Sequence, residues 1–321
     1  MTISPDLAKL TAMSQIHHLI RNQGIEVARR MATSSIEVSL AEIAAKILSE
    51  ESRDLGVTYA GWCFTALPHR RLPDDEVWCR KGHHLTLIVE PGVSPVGKRI
   101  GVPFGSRSRL ILLYLQSRAI QTNCQEIELG RSMREWLVRM GVPTGGKNYV
   151  EIREQAARIS ACHLTFFWEN QGGGHGFKKS SLVTEGLHLT SGDPTQGELW
   201  TDTVRLSDEY FKALKEHPVP VWEPAIREIS NRSMALDIYV WLAYRLHALR
   251  QPLPLSWTAV YEQFGAGFAS TGSFRQAFKQ SLAFALCVYP EARVDVVDTG
   301  LMLYASPPPI EKRTLIAMPA R

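Results

Sequence analysis

Hydrophobic residues recur every three or four positions along several segments of this chain, which is the spacing of amphipathic helices. Residues 5–31 and 37–52 follow this spacing near the N-terminus, and residues 109–122 form a strongly apolar segment, RLILLYLQSRAIQT. Residues 128–140 and 149–162 continue the pattern. The spacing therefore predicts a helical start and then three consecutive helices in the first half of the chain.

Polar residues mark where several helices begin and end. A Ser or Asn followed three residues later by Glu or Gln has the form of a capping box, in which both side chains bond free amides of the first turn. We predict helix starts at three such boxes, Ser132–Glu135, Asn148–Glu151 and Ser273–Gln276. Ser256 is a further N-cap serine, and Gly141 with Pro143 predicts the end of helix 128–140.

Strand-like segments follow the third helix. They are HLTFFWEN, FKKSSLV and WTDTVRLS, and the first two are separated by the Gly-rich turn QGGGHG. Three helices followed by a β-hairpin is the order of a winged helix. The order recurs downstream, with helices at 207–217, 233–249, 256–265 and 272–286, a turn-rich break at HPVPVWEP, and a hairpin around Thr299–Gly300.

These elements predict an α+β fold, predominantly α, with tandem winged-helix (helix-turn-helix) domains and an N-terminal extension. Residues 57–67 are apolar and residues 85–90, LTLIVE, are strand-like, so the extension is mixed. The predicted boundaries are 1–97 for the helical and mixed N-terminal region, 98–205 for the first winged helix, 206–305 for the second, and 306–321 for a tail.

The composition is that of an ordinary globular protein, with 321 residues, of which 45% are hydrophobic and 21% charged. No segment approaches the ~18 consecutive apolar residues of a membrane helix, and the start MTISPDLAKL does not resemble a signal peptide. The five cysteines are odd in number and scattered, which indicates reduced thiols. We expect a cytoplasmic protein with no membrane partner.

Positive charge is concentrated in one part of the chain. The whole sequence has 36 Lys and Arg against 32 Asp and Glu, whereas residues 98–160 hold 11 against 5. A basic segment in an otherwise balanced chain is typical of a protein that binds a polyanion such as DNA. Charge density alone is equally typical of a solvated basic face with no partner.

Two helices are candidates for reading bases. In helix 148–162, Tyr149, Ile152, Ala156 and Ile159 form the predicted buried stripe, and in helix 272–286 the stripe is Phe274, Ala277, Phe278 and Leu282. The residues expected to face outward, where Arg suits guanine and Gln or Asn suits adenine, are the base-reading candidates. They are Asn148, Gln155, Arg158, Arg275, Gln276 and Lys279. The alternative is that both faces are merely solvated.

Seven further cations are candidates for phosphate contacts, which position a protein on DNA without reading sequence. They are Lys98, Arg99, Arg107, Arg109, Lys147, Lys178 and Lys179. The first four surround a loop that leads into a helix whose free amides can also meet a phosphate. Lys178 and Lys179 follow the Gly-rich turn and are expected at a wing tip.

Signatures of other chemistry are weak or absent. The segment Gly141–Lys147 satisfies GxxxxGK, but Asn148 follows where a phosphate-cradling loop needs Ser or Thr, and a helix precedes it where a strand is required. A zinc site from Cys63, Cys79, His83 and His84 would lack the usual two-to-four-residue pairing. No His-x-His, GxSxG or HExxH motif occurs, so we expect no catalysis, no cofactor and no metal.

Taken together, several segments in their order and spacing resemble the RepA family of plasmid replication initiators between residues 64 and 305. They are LPHR (67–70), GVPFGSRSRLILLYL (101–115), IELGRSMREWLVRMG (127–141), EQAARI (154–159), VPV (219–221), LDIYVWLAYRL (236–246), QFG (263–265) and YPEARV (289–294). Residues 1–60 lie outside the resemblance, which shares the tandem winged-helix architecture predicted above.

The resemblance implies an initiator that binds direct repeats in double-stranded plasmid origin DNA, promotes local melting and recruits a host replicative helicase or initiator. It implies no chemistry of the protein's own, and self-association is possible. Two other functions stay open. A transcriptional repressor of its own gene would bind an inverted repeat, because operator symmetry mirrors dimer symmetry. An enzyme would show metal-dependent or nucleotide-dependent turnover.

Overall fold

The computed structural model describes residues 16–82, 85–94, 96–169, 175–185 and 203–310, and about half of these are helical in a mixed α/β arrangement. The described chain divides into two compact units. The first unit combines the chain up to Leu55 with the chain from Pro220 onward, and the second is the continuous segment Gly56–Val219.

Nine elements of the described chain precede helix α5. They are α1 (helical residues 16–23), α2 (Ile25–Met31), α3 (Ser35–Ser49), β1 (Leu55–Tyr59), α4 (Gly61–Phe64), β2 (Trp78–Gly82), β3 (Leu85–Glu90), β4 (Gly92–Val93) and β5 (Arg99–Ile100). The following elements complete the second unit: α5 (Gly105–Thr122), β6 (Glu126–Glu128), α6 (Met133–Arg139), α7 (Gly146–Ala161), β7 (His163–Glu169), β8 (His175–Ser181), β9 (Val183–Glu185), β10 (Thr203–Leu206) and α8 (Asp208–Glu216).

The remaining elements lie toward the C-terminus. They are β11 (Pro218–Trp222), α9 (Glu223–Glu228), α10 (Ser233–Arg245), β12 (Leu253–Ser256), α11 (Trp257–Phe264), α12 (Thr271–Cys287), β13 (Val294–Val297) and β14 (Gly300–Leu303), with a short 3₁₀ turn at Leu246–Ala248.

The second unit contains a four-stranded antiparallel sheet in the order β2-β3-β7-β8 and a three-stranded antiparallel sheet in the order β6-β10-β9. In β3 the side chains of Leu85, Leu87 and Val89 are buried and alternate with partly exposed neighbours, the two-residue period of a strand with one face in the core. Helix α5 packs against α7 and α8.

In the first unit, α10 packs on α12, and α12 also packs on α3. The buried Cys287 thiol lies 3.1 Å from the Leu40 carbonyl oxygen, and Cys287 O lies 2.8 Å from His17 Nε2, so α1 and α3 are both joined to α12. Strands β12, β14 and β13 form a three-stranded antiparallel sheet in that order. A Cβ at Gly300 would overlap Leu255 O, so glycine permits this close strand contact.

Most of the predicted helices are present, and several boundaries differ. Gly24 has a left-handed φ of 82° and separates α1 from α2 inside predicted helix 5–31, whose residues 1–15 lie outside the described chain. The predicted starts at Asn148 and Ser273 are wrong. Helix α7 begins at Gly146, and α12 begins at Thr271 after the N-cap Ser270, whose hydroxyl accepts from Ser273 N.

The predicted starts at Ser132 and Ser256 are confirmed, because both hydroxyls accept a first-turn amide. Gly141, with φ of 67°, follows α6 as predicted. The predicted break HPVPVWEP instead contains strand β11 and the start of α9. Pro224 is in the first turn of α9. Proline is tolerated there because the backbone N–H that it lacks would have no partner within the helix.

The hairpin after α7 differs from the expected wing. Strands β7 and β8 extend the sheet of β2 and β3, whereas β6 pairs with β10, which also pairs with β9. Strands β2 and β3 therefore belong to the same unit as the segment that follows them. The unit boundaries fall at 55/56 and 219/220, whereas the predicted domain limits were 97/98 and 205/206.

Candidate nucleic-acid interface

The predicted buried stripe of α7 is only partly correct. Ile152, Ala156 and Ile159 are fully buried, but Tyr149 is partly exposed. The buried face is rotated toward Gln155 and Arg158, which are 3% and 4% exposed. The expectation that these two side chains face outward is therefore wrong.

Residues far away in sequence explain the burial of Gln155 and Arg158. The chain before α5 covers this side of α7, where Gln155 Oε1 accepts from Phe104 N at 2.8 Å and Arg158 Nη1 donates to Val102 O at 3.2 Å. Arg158 Nη2 also lies 3.0 Å from a carboxylate oxygen of Asp74. A local helical pattern contains no information about such a covering segment, so the sequence left both residues on the wrong face.

The ion pair between Arg158 and Asp74 is part of a small network. Arg158 Nη2 lies 3.0 Å from Glu154 Oε1, and Arg71 approaches both carboxylates. The hydrogen bond from Arg158 is the main reason why the pKa of Asp74 is lowered, with the positive charges of Arg158 and Arg71 adding to it. Arg158 thus joins α7 to the loop at Asp74 and holds no free donor face for a base.

Asn148 and Arg107 meet at the start of α7. Arg107 Nη2 donates to Asn148 Oδ1 at 2.7 Å, its Nε donates to Glu151 Oε2 at 3.1 Å, and Asn148 Nδ2 donates to Pro143 O at 2.7 Å. Arg107 Nη1 is buried without a hydrogen-bond partner among the described residues. The structure therefore brings together the base-reading candidate Asn148 and the phosphate candidate Arg107. Asn148 is partly exposed, and Arg107 mainly joins α5 to α7.

Arg109 is buried inside the second unit and does not face solvent as a phosphate ligand would. Its guanidinium donates to Leu67 O and Gly105 O at 2.7 Å each, and it lies 3.4 Å from His69 Nδ1. Burial, and then the charge of Arg109, hold the pKa of His69 well below its usual value, which keeps the imidazole neutral.

The other phosphate candidates have different surroundings. Lys98 and Arg99 are exposed on the hairpin of β4 and β5, and the side chain of Lys147 is 89% exposed at the start of α7. Lys178 and Lys179 stand opposite Phe166 and Thr165 within the ladder of β8 and β7, so neither is at the tip of the hairpin as predicted. The turn at 170–174 lies outside the described residues.

Helix α12 of the first unit matches its prediction more closely. Phe274, Phe278 and Leu282 are fully buried, and Ala277 is partly exposed. Arg275 and Gln276 are exposed near the helix start. The cationic groups of Arg275 and Lys279 lie 5.4 and 5.9 Å from the ring centre of Trp257, which is buried at the start of α11.

Three exposed residues near α7 were missed by the sequence analysis. Arg131 and Arg134 flank the start of α6, and Val150 is 65% exposed on α7. The helical period could have identified Val150. If the buried face of α7 is centred on Ile152 and Ile159, and Tyr149 is left out, Val150 lies on the opposite side of the helix. Of the 11 Lys and Arg residues between 98 and 160, five are exposed to solvent: Lys98, Arg99, Arg131, Arg134 and Lys147.

No group of His, Cys, Asp or Glu side chains in the described residues is arranged to hold a metal ion. Of the zinc candidates, Cys63 is buried, which raises the pKa of its thiol, Cys79 is exposed, and His83 and His84 lie outside the described chain. No described helix has the length and hydropathy needed to span a membrane.

Comparisons with known proteins bear on both fold and family. Residues 102–257 match the family described as "Plasmid encoded RepA protein". None of the curated proteins matches the chain. A selenomethionine crystal structure of domains 2 and 3 of RctB superposes with a TM-score of 0.50 at 12% identity, covering 78% of this chain and 99% of that one, so the two share a fold.

A second crystal structure of RctB domains 2–3 has a TM-score of 0.35 at 14% identity and covers 68% of this chain and 79% of that one. The family match falls on the segments in which the sequence resemblance is densest, from GVPFGSRSRLILLYL to LDIYVWLAYRL. Residues 102–257 therefore resemble the RepA family of plasmid-encoded replication proteins, and this match supports a replication initiator of that family.

Proposed function

We propose that this protein initiates plasmid replication by binding repeated double-stranded sites in the plasmid origin, without chemistry of its own. The match of residues 102–257 to the family described as "Plasmid encoded RepA protein" supports the initiator role. In this proposal the bound protein favours melting of a neighbouring A·T-rich segment, recruits a host replicative helicase or initiator, and can associate with itself. Bending or kinking DNA costs energy that depends on its sequence, so melting is easiest where the steps are flexible.

The observation that carries the DNA-binding part is a common arrangement of elements in the two units. The first unit has the order α10, β12, α11, α12, β13, β14, and its sheet places β14 between the other two strands. The second unit has α5, β6, α6, α7, β9, β10, with β10 in the middle. We assign both as winged helices, with β7 and β8 as an insertion between the third helix and the wing strands of the second.

In this assignment α12 and α7 are the helices that enter the major groove. Arg275 and Gln276 are the base-reading candidates of α12, because both are exposed on its first turns and their side chains suit guanine and adenine. Lys279 is the third candidate of α12, and its ammonium group lies 5.9 Å from the ring centre of Trp257. On α7 the candidates are Lys147, Asn148 and Val150, since Gln155 and Arg158 are buried.

The test is fluorescence anisotropy on a duplex of about 20–25 bp from repeats flanking the gene, against a scrambled duplex, across a salt series. A preference of at least about 10³ that persists as salt rises supports a sequence reader. Equal and steeply salt-dependent binding to both duplexes contradicts it. A preference for a single inverted repeat over direct repeats would favour the repressor.

A matched pair of variants tests the role of α12. Arg275→Ala is expected to cost about 1–3 kcal/mol on the preferred duplex and much less on the scrambled one, as for a bidentate base contact. Arg30→Ala on α2 removes the same charge from another exposed position of the first unit and should leave the preference unchanged. Equal losses for both variants would reject base reading by Arg275.

A further inference from the structure

Strands β4 and β5 form a short, exposed hairpin in the second unit. Gly92 pairs with Ile100 and Val93 with Arg99, and the turn is closed by bonds from Ser94 N to Lys98 O at 2.8 Å and from Lys98 N to Ser94 Oγ at 3.0 Å. The hairpin is therefore held by backbone pairing and by two bonds across its turn.

The surface of the hairpin combines apolar and cationic side chains. Val96 is 87% exposed and Val93 is 54% exposed, while Lys98 and Arg99 are exposed beside them. The sequence has no Asp or Glu between Glu90 and Glu126. Exposed valines at a turn gain nothing in water, and flanking cations in a stretch of sequence without carboxylates suit an anionic partner.

Contacts at the base of the hairpin place it against α7. A Cβ at Gly92 would overlap the backbone and side chain of Ala161, the last residue of α7, and a Cβ at Gly101 would overlap the Arg158 guanidinium. Two glycines thus allow the hairpin to lie directly on the C-terminal end of this helix. On a helical wheel, Ala161 lies close to Val150, so the hairpin flanks the exposed face of α7.

The dimensions connect this position with the neighbouring groove of DNA. Helix α7 has 16 residues and is therefore about 24 Å long, roughly twice the 12 Å width of the major groove. With the start of α7 in the major groove, its C-terminal end lies over the flanking phosphate ridge. An element attached there reaches the adjacent minor groove, where apolar side chains can enter between base steps and cations are attracted by the negative potential.

We propose that the hairpin of β4 and β5 is a second DNA-binding element that enters the minor groove beside the site of α7, with Val96 at the bases and Lys98 and Arg99 at the phosphates. The proposal rests on the proposed function, because it needs α7 on DNA. It assigns to Val96 a role that charge arguments alone do not suggest.

The first experiment compares the double variant Lys98→Ala/Arg99→Ala with Lys212→Ala/Lys215→Ala, a charge-matched control on α8, by anisotropy on the origin duplex across a salt series. The hairpin variant should bind about tenfold more weakly at moderate salt and lower the slope of log K against log salt by about 2, one unit per lost phosphate contact. The control should change neither quantity by as much. Equal behaviour of the two variants overturns the proposal.

The second experiment locates the hairpin on DNA. Iron–EDTA is tethered at Val96→Cys in a protein whose exposed Cys79 and Cys124 are replaced by Ser, so that only position 96 among the exposed thiols of the described chain is labelled. Cleavage at the edge of the bound site with a 3′ stagger between strands indicates the minor groove. A 5′ stagger, or no cleavage while DNA is bound, overturns the proposal.

Failure of this inference and failure of the proposed function are distinguishable. If the unmodified protein shows no preference for origin DNA, the proposed function fails. If it binds origin DNA and Lys98→Ala/Arg99→Ala binds equally well, only the hairpin proposal fails. Unchanged DNA binding with loss of dimer formation or of a host protein contact would assign the hairpin to a protein partner and would likewise overturn it.

Discussion

Individual side chains in this protein divide into those that hold the fold and those that remain free to bind. Arg109 and Arg158 carry charge in a basic segment, yet both are buried and bonded to the protein. Arg275 and Lys147, in contrast, are exposed to solvent. Charge density in the sequence therefore overestimates the charge that DNA can meet.

Replacing Arg158 should affect stability more than recognition. Arg158→Ala is expected to lower the free energy of unfolding by about 1–3 kcal/mol, because the buried Val102 carbonyl and the two carboxylates lose their donor. Urea unfolding measures the loss, and anisotropy on origin and scrambled duplexes measures recognition. A loss confined to the origin duplex in a fully stable variant would contradict the structural role and restore Arg158 as a base reader.

The same ion pair predicts a pH dependence. The pKa of Asp74 is lower in the folded protein than in the unfolded chain, so its contribution to stability is present above the unfolded pKa and is lost as pH falls through the folded one. From about pH 5 downward the wild type should lose more stability than Asp74→Asn, which has no carboxyl to protonate. Parallel stability curves for the two proteins would show that Asp74 does not contribute.

Gln116 is the centre of a buried polar network in the second unit. Its Oε1 accepts from Tyr59 N at 2.6 Å and from the Tyr210 hydroxyl at 3.0 Å, and Tyr210 in turn accepts from Trp62 Nε1 at 2.8 Å. The Thr58 hydroxyl also donates to Oε1, at 3.4 Å, so Gln116→Leu removes the acceptor of three buried donors and should cost about 2–4 kcal/mol. Tyr210→Phe, which leaves only the Trp62 N–H, should cost less, and the reverse order in urea unfolding would contradict this network.

At the scale of the helices and strands, the start of α12 shows that a capping pattern in the sequence can differ from the cap in the structure. The sequence favours Ser273 as the cap of α12, whereas the observed cap is Ser270. Ser270 caps the helix because its hydroxyl accepts from Ser273 N at 3.2 Å, and the Ser273 hydroxyl donates back to Ser270 O at 3.0 Å. The resulting one-turn shift brings Arg275 and Gln276 into the second turn of α12 and leaves them exposed.

Paired substitutions in α12 test this assignment. Ser270→Ala removes the acceptor for the Ser273 amide and should cost about 1 kcal/mol in unfolding. Ser273→Ala should cost less, because alanine favours the helix and the free amide keeps its cap. Thermal or urea unfolding distinguishes the two, and a larger loss for Ser273→Ala would mean that the helix begins where the sequence pattern put it.

For the whole molecule, one unit is continuous in sequence and the other is assembled from two distant parts. Helix α3 contributes Leu40, Ala44 and Ile47 to the core of the first unit, where it packs on α12. A fragment that begins at Pro220 therefore lacks part of its own core, although it contains every element of the winged helix assigned to that unit.

Fragments test this organisation. Residues 56–219 should unfold cooperatively as an isolated chain. Residues 220–310, which lack α3, should have a free energy of unfolding at least about 3 kcal/mol below that of the complete first unit, which is the burial free energy of two large aliphatic side chains. Denaturant unfolding followed by circular dichroism measures both fragments. Full stability of residues 220–310 would show that α3 is dispensable to this core.

Local pattern was sufficient for the long helices, for strand 85–90 and for the hairpin around Thr299–Gly300, because each depends on periodicity and turn chemistry within its own segment. The sequence motifs also indicated the family whose description matches residues 102–257. The exposed face of α12 followed from its phenylalanines. All of these features depend on residues that are close together in the sequence, so a local pattern is enough to predict them.

Contacts between distant segments decided the rest. Burial of Gln155 and Arg158 depends on Phe104, Val102 and Asp74, and the strand that pairs with β6 is β10, far along the chain. The hairpin of β4 and β5 becomes a candidate DNA contact only because Gly92 and Gly101 place it on α7. A side-chain pattern records which face of an element is apolar, but only the tertiary structure shows what covers that face, and this determines which charges are left to bind.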